Sequence, residues 1–193
     1  MNVLPRTARH LLSAAFAATM VATRFHHFGD AMHLPDASMA LFFLGGLFLR
    51  EHRQFFALFA LAVGIDAVAV GFAGVSAYCI TPAYAALLPA YAVLWYGGRA
   101  VAAWHAVEPV AMLRTLAAAL VCAGVSFAVS DGAFYWLGGR HPQPNMAEYL
   151  ANAMRWAPMF VRTAMLYVTV AMVAQTLASH VVASRAAIRV RGL

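Results

Sequence analysis

The sequence contains no lysine: all thirteen of its basic residues are arginine. That absence excludes a phosphate-binding G-x-x-x-x-G-K-[ST] loop and Schiff-base catalysis through a side chain. ATP-driven work would therefore need a hydrolysing partner subunit. Cysteine is almost as scarce, with only Cys79 and Cys122 and no C-x-x-C pair between them. Neither a disulfide framework nor a thioredoxin-like redox motif is available. Charged residues make up 10% of the chain. No basic cluster with interleaved aromatics is present, so the net charge of +6 predicts membrane topology rather than a nucleic-acid partner.

What is abundant is apolar surface. Hydrophobic residues account for 64% of the 193 residues, and the mean hydropathy is +0.74. A soluble domain of this size has no use for so much apolar area. A membrane helix needs about 20 apolar residues to cross roughly 30 Å of hydrocarbon. The pattern predicts a single all-α integral membrane domain over residues 1–193, with six transmembrane helices. They cover roughly Ala8 to Arg24, Ser38 to Leu49, Gln54 to Val75, Ala83 to Tyr96 and on toward Trp104, Val110 to Val129, and Met146 to Ala183. For the first, a signal peptide is the competing reading, since Arg6, Arg9 and His10 precede its apolar core.

Arginine placement orients the bundle. Arg6, Arg9, Arg50, Arg53, Arg99, Arg114, Arg185, Arg189 and Arg191 collect on one side, and Arg24, Arg140 and Arg155 on the other. The richer side is expected to be cytoplasmic, which places both termini inside. The histidine-rich loop with His26, His27 and His33 then lies outside, with the segment Tyr78-Cys79-Ile80-Thr81-Pro82-Ala83-Tyr84 and the loop from Gly138 to Asn145.

Several residue types on that outer side bear on chemistry. Asp66 lies within an apolar run, about 12 Å from its expected exit near Gly74. A carboxylate at that depth should face a cavity or a partner, and a structural ion pair with Arg155 is the plain alternative. Cys79 sits in a polar break between tyrosines, where a thiolate could ligate a soft metal. Buried cysteine is more often inert, and Cys122 among alanines suits that description. The outer aromatics Tyr78, Tyr84, Phe134, Tyr135 and Trp136 suit an interfacial belt. Arg155 could donate to carbonyls or a phosphate, or extend outward. In the first span, Ala14, Ala18 and Ala22 form a small-residue stripe on which another helix could dock.

The cysteine segment, with Asp66 upstream, His27 in the first outer loop and the alanine stripe, resembles the substrate-binding S-components of energy-coupling-factor (ECF) vitamin transporters, in particular the BtuM-type vitamin B12 members. The resemblance extends over essentially the whole chain. It implies that the cargo is cobalamin and that Cys79 ligates its cobalt, with possible exchange of an axial ligand such as cyanide. It also implies that His27, Asp66, Tyr84 and Arg155 contact the corrinoid or assist that exchange. Ala14, Ala18 and Ala22 would face a membrane-embedded coupling subunit and its ATPases, in the bacterial cytoplasmic membrane. The chain itself would hold no ATP site. A rival reading is a nickel or cobalt ion transporter built on His26, His27 and His33. A membrane thiol oxidoreductase lacks a second nearby cysteine, a b-type haem protein lacks paired deep histidines, and a purely structural subunit leaves Asp66 unexplained.

Overall fold

The computed structural model describes residues 5–24 and 34–191, with side-chain surroundings as far as residue 184. The described residues form six α-helices: α1 (Arg6–Arg24), α2 (Ser38–Phe48), α3 (His52–Phe72), α4 (Leu87–Val101), α5 (Pro109–Leu137) and α6 (Met146–Arg191). No strand occurs among the described residues. Two 3-10 turns, Ala77–Cys79 and Pro82–Ala86, join α3 to α4. The second replaces the first turn of the expected fourth span. Pro82 supplies no amide proton and restricts Thr81 to extended backbone, which has φ −135° and ψ 172°. Conversely, α5 runs on through Phe134, Tyr135 and Trp136, beyond the expected end at Val129.

Polar contacts sort the helix ends into two groups. At one end Arg9 pairs with Glu51, Arg99 Nη1 lies 2.9 Å from His52 Nε2, and Arg50 donates to the Ala102 carbonyl at 3.0 Å. His105 bridges Thr115 and Gln175 there, at 3.0 Å to each. At the opposite end Arg24 meets Asp36 and Asp66, Arg140 donates to the Tyr78 carbonyl, and Tyr135 meets Glu148. The helices therefore alternate in direction along the chain.

Three helices, α3, α5 and α6, are long and apolar enough to cross a membrane. Their apolar side chains are turned outward in numbers that water would not tolerate: Phe56, Phe72, Leu113, Val121, Leu166, Val170 and Leu177 are all exposed. α2 is different. At 11 residues it is about 16 Å long, too short to cross roughly 30 Å of hydrocarbon alone. It touches all five other helices, and nearly every residue from Ser38 to Leu47 is buried. Its side chains are apolar all round because they meet protein on every side.

Close approach of backbones makes this possible. A Cβ at Gly46 would run into the Trp95 carbonyl, one at Gly98 into the Phe43 carbonyl, and one at Gly45 into the Trp95 ring. α2 and α4 thus meet almost backbone to backbone. Around that seam Phe42 stacks on Tyr91 at 4.2 Å, while Phe55 presents edges to Phe42 and Trp95, both at 5.6 Å. Cys122 has the packing role expected of it, since its Sγ occupies the space a Gly97 side chain would need.

The seam predicts an asymmetry among glycines. Gly98→Val should destabilise the fold by about 1–3 kcal/mol or more through overpacking. Gly64→Ala, where nothing lies within 4 Å of the added Cβ, should be neutral or gain up to about 1 kcal/mol of helix propensity. Thermal unfolding in detergent compares the two; equal melting temperatures would refute the seam.

Candidate functional site

The site is built downward from α1. Its last residue, Arg24, is 3% exposed, and its guanidinium is shared among four helices and the loop that precedes α2. Nε and Nη2 clasp the two oxygens of Asp66 on α3, at 2.9 and 2.7 Å. Nη1 lies 3.2 Å from Asp36 Oδ2, 2.8 Å from Ser38 Oγ and 2.8 Å from the Tyr91 hydroxyl. Bidentate pairing of this kind suits the planar donor fork of arginine. Asp36 uses its other oxygen to accept from the Ser38 amide at 2.8 Å and hydroxyl at 2.6 Å, which satisfies the first amide of the buried α2. The Tyr84 hydroxyl donates to Asp66 Oδ2 at 2.6 Å, tying the second 3-10 turn to the same cluster.

The partner of Asp66 is therefore Arg24, not Arg155. Asp66 is buried as expected, and it is paired rather than free. With Asp36 included, one guanidinium faces two carboxylates, so the cluster carries a formal charge of −1.

This cluster floors a partly open cavity of about 530 Å³, a usual size for a ligand pocket. One wall is the 3-10 segment, with Tyr78, Cys79, Ile80 and Tyr84. The facing wall comes from α5 and α6, through Phe127, Asp131, Phe134, Asn152, Trp156 and Phe160. His141 joins them from the α5–α6 loop. The loop is itself held in place. Asn145 caps α6 by accepting from the Glu148 amide at 2.9 Å, and Glu148 in turn meets His141 Nδ1 at 3.1 Å and the Tyr135 hydroxyl at 3.0 Å. The Arg140 guanidinium lies 4.8 Å from the Tyr78 ring centroid and Phe134 packs on the same ring at 5.6 Å, so the cysteine segment is clasped from above.

Cys79 has a solvent-accessible side chain on this wall. Its thiol is nevertheless pushed above the usual thiol range, first by the surrounding protein and then by Asp66, with Arg140 opposing. It rests as a thiol and yields its proton only to a strong competitor.

Cys79, Asp66 and Tyr84 thus share one cavity. Arg155 lies outside its lining, on the exposed side of α6 with its guanidinium 5.3 Å from the Trp156 ring centroid. His26, His27 and His33 fall outside the described residues. Ala14, Ala18 and Ala22 are all on the exposed face of α1. The structure adds Arg24, Asp36, Tyr91, Asp131 and His141 to the site. Of these only Asp36-Ala37-Ser38, a polar step before an apolar run, carried a local signal in the sequence. No family model matches the chain, and no curated protein matches it either.

The clasp predicts strong coupling. Arg24→Met or Asp66→Leu alone should each cost about 3–5 kcal/mol, because each strands a buried charge. The double variant should cost much less than the sum. Unfolding measured for the four proteins of the cycle checks this; simple additivity would refute it.

Proposed function

We propose that the chain is the membrane-embedded binding component of a cobalamin uptake system, with Cys79 as a ligand to the cobalt of its cargo. The observation that carries this reading is the convergence of Cys79, Asp66 and Tyr84 on one aromatic-walled cavity. Such a cavity suits a broad, flat macrocycle that brings its own metal and asks the protein for one axial ligand. A bare nickel or cobalt ion would need several protein donors at short range, whereas the neighbours of Cys79 here are mainly aromatic and aliphatic.

Charge supports the same cargo. The excess negative charge of the Arg24–Asp66–Asp36 cluster discourages a lone thiolate and favours a cationic metal centre. Ligation then displaces the thiol proton. With a cyanide-bearing corrinoid, the cobalt–carbon bond breaks as the cobalt–sulfur bond forms. Cyanide leaves with the bonding electron pair and takes up the proton as hydrogen cyanide, with no net oxidation or reduction. Tyr84 lines the cavity beside the thiol, and Asp66 holds Tyr84 and the cavity floor in position. His27 is a further contact in this reading, whereas Arg155 lies outside the lining.

In the same reading all six helices form the membrane domain, with both termini cytoplasmic in a bacterial inner membrane. The short, enclosed α2 is compatible with it, because its polar backbone is covered by other helices. In this reading the chain serves as an ECF S-component. The exposed alanines of α1 offer the smooth face that a coupling subunit and its ATPases would use.

Purification from cells supplied with cobalamin should give a coloured protein with a shifted corrin absorption band. Cys79→Ala should abolish the shift, and cobalamin bound by that variant with an unchanged spectrum would refute cobalt ligation. A colourless wild-type protein whose ion uptake requires His26 or His33 would favour the ion transporter instead. The pH dependence has a definite sign. Because the Cys79 thiol is held high and the ligand is the thiolate, affinity should rise with pH by up to about tenfold per unit until the thiol pKa is passed. Titration with a corrinoid whose axial ligands do not ionise in that range measures the slope; a flat profile would refute thiolate ligation.

A further inference from the structure

Asp131 differs from the other carboxylates of the cavity. It lies on α5, one turn before Phe134, whose ring meets Tyr78 at 5.6 Å, so it faces the cavity together with the cysteine segment. Asp66 accepts three hydrogen bonds, and Asp36 is engaged by Arg24 and Ser38. Asp131 Oδ2 is buried and has no hydrogen-bond partner among the described residues. A buried acceptor left without a donor bears its whole desolvation cost, and such groups are uncommon unless something that binds later completes them.

The surroundings restrict what that donor can be. His141, a basic group that acts on Asp131, has its Nδ1 turned to Glu148 at 3.1 Å. The Tyr149 hydroxyl approaches the neighbouring Gly132 but makes no hydrogen bond with Asp131. The rest of the nearby lining is Phe127, Phe134 and Trp156, with the neutral polar side chains of Ser130 and Asn152, neither of which donates to Asp131 Oδ2. A single carboxylate with two neutral polar neighbours among aromatic rings is a poor site for a free divalent cation, which takes six or more oxygen ligands. It is a good site for one N–H donor at the edge of a largely apolar ligand. An ionised carboxylate only accepts hydrogen bonds, so it also repels a ligand carboxylate in the same place.

We propose that Asp131 accepts a hydrogen bond from a peripheral primary amide of the bound corrinoid, and so selects amide-bearing corrinoids over their carboxylate counterparts. This rests on the cobalamin reading above and deepens it by naming a specificity residue on the wall facing Cys79.

The test uses the full chain in lipid nanodiscs. Binding is measured for cobalamin and for derivatives in which single peripheral amides have been hydrolysed to acids. The wild-type protein should bind at least one of these acids about tenfold or more weakly than the amide. Asp131→Asn, which is nearly isosteric and uncharged, should narrow that preference to within about twofold. Asp131→Leu should weaken cobalamin itself by about tenfold. Equal wild-type affinity for the amide and every acid overturns the proposal, as does an unchanged preference in Asp131→Asn. If Asp131→Leu fails to fold, the asparagine comparison still decides. A wild-type protein that binds no corrinoid overturns the cobalamin reading itself, an outcome distinct from loss of the amide preference alone.

Discussion

The Arg24 guanidinium holds the site together. Without it, two carboxylates and two phenols would be packed among apolar helices with no positive charge to balance them. With it, the end of α1, the start of α2, the outer part of α3 and the beginning of α4 are bound to one planar cation. The cost of burying that many charges is met by near-complete hydrogen bonding, which is the condition under which buried ion networks are tolerable. The network fixes the floor of the cavity, and Tyr84 transmits that position to the segment that bears Cys79.

The site therefore has two parts of different character. Its floor is polar, closed and rigid. Its walls are aromatic and come from elements that are separately secured, the 3-10 segment by Arg140 and Phe134 and the loop after α5 by the Asn145–Glu148 cap. A ligand entering between the walls meets a hydrophobic interior with a few fixed polar points, an arrangement that gives orientation without many charged contacts.

Much of the architecture was legible in the sequence. Long apolar runs broken by proline, glycine and clustered arginine marked the six helices, although α5 and α6 each run eight residues past their expected ends, to Leu137 and Arg191. Convergence of Cys79, Asp66 and Tyr84 was also accessible, because all three belong to one stretch around a single turn. Arg24 was not. An arginine at the end of an apolar helix reads as a topology marker, and nothing local links it to a carboxylate 42 residues away. Asp131 and His141 were missed for a related reason, as their place depends on how far α5 extends before turning. Their position needs the folded helical hairpin, whereas composition describes only each helix of it. The enclosed character of α2 was half visible: its shortness and its paired glycines were plain, but a buried helix and a spanning one share the same apolar letters.

The inequality of the helices has a consequence for the surrounding bilayer. α3 has 21 residues and α6 has 46, or about 32 Å against about 69 Å. Only the former is close to the thickness of a hydrocarbon layer, so α3 would set the depth at which the bundle sits and α6 must lean or project beyond the headgroups. A bundle of this kind presents lipid with a belt of uneven height. Local thinning or tilting around it is a built-in response to hydrophobic mismatch, arising from helix lengths alone.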